Sequence, residues 1–185
     1  MNRCPWAPIG DELYLRYHDE EWGVPLHDDR KIFEFLVLEA FQAGLSWRTV
    51  LYKRENFRRA FKGFDVKKVA RFGARDVARL VKDAGIIRHR GKIKAAINNA
   101  QRFIDIQKEF GTFSRYMWSW VGGQPIVHRL KTMKDFPVTI PEAQAWAKDL
   151  KQRGFLFLGP TTLYAHMQAV GMVNDHTRGC FRRAG

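Results

Sequence analysis

Apolar residues recur along this chain at spacings of three and four, and almost nowhere at a spacing of two. That periodicity confines the chain to helix packed on helix. From Asp28 to Ala43, the residues Ile32, Phe33, Leu36, Val37, Ala40 and Phe41 fall on one helical face. Asp28 and Asp29 are available as N-caps there, and Gly44 closes the segment. Glu39 stands at the border of that stripe, and Glu34 well away from it. Asp76 to Ala84 repeats the scheme ahead of Gly85, and a longer stripe begins at Lys92 with Ile93, Ala96, Ile97, Ala100, Phe103 and Ile104. Pro141 predicts a helix start whose face runs through Ala145, Trp146 and Leu150 to Gly154. Thr161 or Thr162 predicts the cap of a last helix that ends at Gly171. The one strand-like run, Phe155-Leu-Phe-Leu158, reads as a segment feeding the core. The expected class is all-α, a single domain of 185 residues without repeats or low-complexity linkers.

Two cysteines, Cys4 and Cys180, each have a histidine nearby: fourteen residues separate Cys4 from His18, and four separate His176 from Cys180. A spacing of four puts both side chains on one helix face. Two thiolates and two imidazoles complete a tetrahedral zinc shell with no open position, the composition of a structural site. The gap between the halves is too long for a zinc finger, so ordinary buried thiols remain an equal alternative on spacing alone. No apolar run approaches the roughly 20 residues of a membrane span, and Met1 to Trp6 lacks the apolar stretch of a secretory signal. The expectation is a cytoplasmic chain with reduced thiols, which argues against a Cys4–Cys180 disulfide.

Lys and Arg number 32 against 19 Asp and Glu, a formal charge of +13 that favours a polyanionic partner such as nucleic acid. One segment focuses that charge. Leu80 to Ile93 reads as helix, tight turn and helix, with Gly85 in the turn and Arg88, His89, Arg90 and Lys92 around it. A glycine there permits positive φ and bares backbone N–H groups, and the next helix adds its own N-terminal donors. The device grips phosphate without reading sequence; a solvated corner between two helices is the plainer alternative. Elsewhere, Glu39 precedes Trp47 in a helix-to-loop segment, and Trp6, Tyr14, Tyr17 and Trp22 crowd the N-terminal part. A carboxylate beside aromatics is either a satisfied group near the core or the floor of a base-stacking pocket.

Several ordered motifs run from residue 3 to residue 180. They are Arg3-Cys4-x-Trp6, Tyr17-His-Asp-x-Glu-Trp-Gly-Val-Pro25, Leu38-Glu-x-x-x-Ala-Gly-Leu-Ser-Trp47, Lys53-Arg-Glu-Asn56, Asp83-Ala-Gly-Ile-Ile-Arg-His-Arg-Gly-Lys-Ile93, Arg153-Gly-Phe155 and Val173-Asn-Asp-His-x-x-x-Cys180. In these the chain resembles the 3-methyladenine DNA glycosylase I family. The resemblance implies an all-helical, helix-hairpin-helix DNA glycosylase fold in two lobes. A hairpin lobe would span roughly 63–150 and a zinc lobe roughly 1–62 and 151–185, with the termini clipped by zinc on Cys4, His18, His176 and Cys180. The implied activity is base-excision repair: flipping out and hydrolytically releasing 3-methyladenine from double-stranded alkylated DNA. By the same resemblance Glu39 is the catalytic carboxylate, Trp47 stacks on the base, Tyr17 adds a polar contact, and Trp6 and Tyr14 line the pocket. Gly85, Arg88, Arg90 and Lys92 would meet DNA phosphates. Leu45 is a wedge by analogy with apolar inserts in kinked DNA, with core packing as its alternative. Asp105, beyond the hairpin, takes no catalytic role in this reading. No membrane and no obligate protein partner are implied, and a monomer is the default. Two other classes stay in view: a zinc-stabilised binding module without a pocket carboxylate, and a zinc hydrolase, which needs an open metal position.

Overall fold

The structure, a computed structural model, describes residues 1–183. Helices dominate: α1 (Glu12–Glu20), α2 (Asp29–Gln42), α3 (Trp47–Tyr52), α4 (Arg54–Ala60), α5 (Val66–Val69), α6 (Ala74–Lys82), α7 (Arg90–Phe110), α8 (Phe113–Ser119), α9 (Pro141–Gln152) and α10 (Pro160–Ala169). The exception is a two-residue parallel pair, β1 (Ile126–Val127) with β2 (Val173–Asn174), in the register Ile126 to Val173. A pair that short has no alternation for sequence reading to detect.

The organising element is α2. Asp28 caps it through its carboxylate, which accepts from the Lys31 N–H at 2.8 Å. The stripe expected from periodicity is buried, but so is every residue from Ile32 to Phe41. The reason is that α10, α7, α3 and α8 all pack on this helix, which leaves it no solvent face. Glu34 therefore departs from expectation: it is buried, not on an exposed face. Its charge is met by Arg54, whose Nε donates to Oε1, and by Arg58, whose Nε donates at 3.0 Å. Arg54 also pairs with Glu21 at 2.7 Å and lies over the Phe35 ring at 4.8 Å.

Other helix starts correct the expected ones. Gly73 caps α6, and Asp76 accepts the Gly73 N–H at 3.1 Å. Helix α10 starts at Pro160 with Gly159 as its N-cap, ahead of Thr161 and Thr162. Proline suits that first position because no intrahelical partner awaits its missing N–H. The run Phe155 to Leu158 is not a strand: Phe155 and Leu158 are buried, while Leu156 and Phe157 face outward. Among the described residues no helix is long and apolar enough to cross a membrane.

Candidate active site and metal cluster

A cavity of about 240 Å³ opens between the N-terminal arm, α1, α2, α3 and α10. Trp6, Tyr14, Tyr17, Trp22 and Trp47 form its aromatic walls; Glu39, Gln42 and Gln168 are its polar lining. The volume is below the roughly 300–1,000 Å³ of pockets for drug-sized ligands, a scale suited to one small planar molecule. A larger concavity of about 690 Å³ lies along Met1 to Ile9 and Thr177 to Gly179, but no carboxylate lines it.

Glu39 gives the smaller cavity its chemistry. It is 4% exposed and no cation stands beside it, so burial alone pushes its carboxyl up to about 8. The contrast with Glu34 on the same helix is direct: one buried glutamate has two arginines, the other has an aromatic cavity. Tyr17 is buried, and burial first, then the nearby Glu39, holds its hydroxyl well above the usual tyrosine range. It stays protonated and available as a hydrogen-bond donor. The Tyr17 and Trp47 rings lie 5.1 Å apart, and Phe35 stacks behind Trp47 at 6.5 Å. The indole N–H groups of Trp6 and Trp47 are buried without partners, which leaves donors in the wall of the cavity.

The cysteines and histidines converge. Cys4, His18, His176 and Cys180 are all buried, with their ligand atoms within 4.8 Å of one another. Cys4 Sγ and Cys180 Sγ each lie 3.4 Å from His176 Nδ1, and Cys180 Sγ lies 3.5 Å from His18 Nε2. Tetrahedral zinc with ordinary bond lengths sets S to N at about 3.5 Å, so the residues fit that ion. The outer ring atoms are also held: His18 Nδ1 by Asp19 at 2.8 Å, and His176 Nε2 by the Trp22 carbonyl at 3.1 Å. That arrangement orients metal-binding imidazoles. Gly23, at φ +75°, makes room for it, since a Cβ there would stand 2.9 Å from His176 Nε2. The cluster also abuts the cavity: the Trp22 ring lies 4.6 Å from His176 and 4.8 Å from Trp6.

Between α6 and α7 runs the turn from Asp83 to His89. Arg88, His89 and Arg90 are exposed there, and His89 caps α7 by accepting the Lys92 N–H at 3.1 Å. Two expectations are corrected. Gly85 has no positive φ, and its N–H is taken by Asp83 at 2.8 Å. Space is tight there instead: a Cβ would stand 3.0 Å from Asp83 Oδ1 and 3.1 Å from the Asn56 side chain. Lys92 points inward, not toward solvent: its ammonium donates to the carbonyls of Phe41 at 3.0 Å and Ala43 at 2.6 Å. It caps the C-terminal end of α2, where orphan carbonyls and the helix dipole attract a cation. Leu45 is 43% exposed just past Gly44, beside that cap, and so is not core packing. Asp105 is on the surface with Arg102 and Lys108, away from the cavity lining.

Known proteins share this sequence and fold. The family model described as methyladenine glycosylase covers residues 6–183. The chain belongs to that family. It is 51% identical over 180 residues to DNA-3-methyladenine glycosylase 1 of Escherichia coli K12, covering 97% of this chain and 96% of that protein. A crystal structure of a 3-methyladenine DNA glycosylase I superposes with a TM-score of 0.96 at 48% identity, covering 99% of this chain and 100% of that one. The structure describing 3-methyladenine recognition by the Staphylococcus aureus enzyme superposes at 0.95 with 39% identity, covering 100% of this chain and 98% of that one.

In this family member the expected residues Glu39, Tyr17, Trp47, Trp6 and Tyr14 meet in one cavity. Sequence reading placed Trp22 in the aromatic group without giving it a role, and missed Gln42, Gln168, Ala165, Met133 and Phe136 as lining residues. Gln42 carried a usable signal, being one helical turn beyond Glu39. Met133 and Phe136 carried none, since they come from a loop whose approach to α2 only the tertiary fold creates.

Proposed function

We propose that this protein is a base-excision repair enzyme that flips 3-methyladenine out of double-stranded alkylated DNA and releases it by hydrolysis. The observation that carries the reading is Glu39: a buried carboxylate with no cationic partner, surrounded by Tyr17, Trp47, Trp6 and Tyr14 in a cavity sized for one base. Methylation at adenine N3 makes the base cationic in DNA. A cation is what an unpaired buried carboxylate lacks, and aromatic faces attract it further. Glu39 gives its proton up to solvent before the cationic base enters, and its carboxylate accepts hydrogen bonds from the base. Trp47 stacks on the ring, Tyr17 contributes a polar contact, and Trp6 and Tyr14 wall the pocket. Cleavage then needs little from the protein. The bond from C1′ to N9 breaks with its electron pair going to the base, which leaves neutral. Water adds to C1′ and its proton passes to solvent. A base that stacks as well but carries no charge gains nothing from Glu39, so selectivity follows from charge.

The grip on DNA belongs to the helix-hairpin-helix reading of α6, the turn and α7, within a lobe of roughly 63–150. Arg88 and Arg90 take phosphates beside the α7 N-terminus, with Gly85 holding the turn tight. Leu45 is the wedge that fills the space left by the flipped base. Zinc on Cys4, His18, His176 and Cys180 would clip the N-terminal arm to the C-terminal segment in the second lobe, built from roughly 1–62 and 151–185. Those four residues would close the shell, so the ion would serve structure through Trp22 and Trp6 and leave hydrolysis to the cavity. The reading places the enzyme in the cytoplasm, acting on chromosomal DNA. The test is release of free 3-methyladenine from methylated duplex DNA. Release by the wild type and its loss in Glu39→Gln support the reading; binding of DNA without release reduces the protein to a binding module.

A further inference from the structure

Among the described residues, three that are not glycine have positive φ: Lys62, Phe64 and Phe157. Phe64 is fully buried, and packing accounts for its conformation. Phe157 is different. It sits at φ +59° and is 45% exposed, next to Leu156, which is 48% exposed. An aromatic residue in left-handed backbone is strained, and a ring this exposed recovers little of that cost from burial. The backbone holds it there firmly. Asn99 of α7 brackets Leu156 on both sides, donating to its carbonyl at 2.9 Å and accepting from its N–H at 2.9 Å, while Asn98 donates to the Gly154 carbonyl at 2.8 Å. The loop from Arg153 to Gly159 is thus pinned to the helix whose N-terminus carries Arg88, His89 and Arg90.

The position of the ring is specific. It packs edge-on to His89, the α7 cap, with centroids 6.2 Å apart, and its Cζ lies 3.7 Å from where a Cβ on Gly91 would stand. From the next position of the same helical turn, Lys92 reaches Ala43 in the loop that carries Leu45. The first turn of α7 therefore has two exposed apolar tips near it, Leu45 and Phe157, with exposed arginines at 88 and 90. Lys148 and Lys151 stand exposed around the concavity that Leu156 and Phe157 help to line. A surface that alternates cations with apolar tips matches a nucleic-acid strand, which alternates phosphates with apolar sugar faces.

We infer that Phe157 is a DNA-contacting residue, its ring packing on the sugar face of the strand whose phosphates are taken at the start of α7. The inference rests on the reading of that turn as the DNA grip. An apolar contact and a phosphate contact differ in their salt dependence, because only the second releases counterions. The experiment is a fluorescence-anisotropy titration of the full-length protein against an unmodified duplex at several salt concentrations. It compares wild type, Phe157→Asn, Phe157→Leu and Arg88→Ala. Asparagine tolerates positive φ, so Phe157→Asn should keep or raise the thermal midpoint while binding about tenfold more weakly at an unchanged salt slope. Phe157→Leu should retain most of the affinity, and Arg88→Ala should lower the slope by about one. Binding of free 3-methyladenine in the cavity should be the same in all four.

Wild-type affinity in Phe157→Asn, alongside a weakened Arg88→Ala, would overturn the inference and leave the reading of the turn intact. An unchanged affinity and slope in Arg88→Ala would overturn that reading instead. A lowered thermal midpoint in Phe157→Asn would make the ring structural and also overturn the inference.

Discussion

Glu39→Gln should make the protein more stable and less active, and the two effects have one cause. Burial raises the Glu39 carboxyl from its ordinary 4.5 to about 8. The folded state thus holds a proton that the unfolded chain releases. Stability is fullest below pH 4.5, falls as pH rises from there, and stops falling above about 8. Each pH unit inside that window removes about 1.4 kcal/mol, so the whole loss is on the order of 5 kcal/mol, with local relaxation reducing it. Glutamine has the same shape and no charge to desolvate. The wild-type and variant curves should coincide near pH 4 and separate until pH 9, where the variant is more stable by about 2–5 kcal/mol. Urea unfolding at pH 4, 7 and 9 measures this. Activity should move the other way. A hydrogen bond to a charged group contributes about 1.5–3 kcal/mol, so kcat/KM for 3-methyladenine release should fall by roughly 10- to 150-fold. In the wild type, kcat/KM should rise with pH and level off above about 8, since the ionised carboxylate is the form that receives a cationic base. Parallel stability curves would refute the claim that Glu39 is desolvated. A variant less stable at pH 9 would make Glu39 a group satisfied by the core, and a fully active one would remove it from the base site.

Three further outcomes follow from contacts elsewhere. Carefully prepared protein should contain one equivalent of zinc by elemental analysis, and Cys180→Ala should lose the metal and much thermal stability together. Lys92→Met should lower stability by about 1–3 kcal/mol, the scale for leaving buried acceptors unpaired, because the α2 carbonyls at Phe41 and Ala43 lose their donor; the salt slope of DNA binding should not change, which anisotropy would detect. Arg54→Met leaves the buried Glu34 with Arg58 alone, and urea unfolding should register a loss of about 1.5–3 kcal/mol, the scale of one hydrogen bond to a charged group.

Much of the molecule is legible without coordinates. The helical class follows from spacing, because an apolar stripe of period 3.6 has one way to be buried. The ends of α2 and α9 follow from Asp28, Gly44, Pro141 and Gly154 through local backbone chemistry. The pairing of each cysteine with a histidine, and the focus of positive charge near residue 88, are also local facts. What periodicity could not supply is how many partners a helix acquires. It assigned α2 a single apolar face, with Glu34 outside it and Glu39 at its edge. Packing by α10, α7, α3 and α8 then buried the helix on all sides, a decision made by residues distant in the chain. The fates of the two glutamates were set at that step: Arg54 and Arg58 neutralise Glu34, while the arm, α1 and α3 bring Trp6, Tyr14, Tyr17 and Trp47 to Glu39 and no cation. The inward turn of Lys92 has the same origin, since its partners are carbonyls about fifty residues away. Local pattern selects the elements; which buried charges are matched and which are left for a ligand depends on long-range neighbours, and only the tertiary structure supplies those.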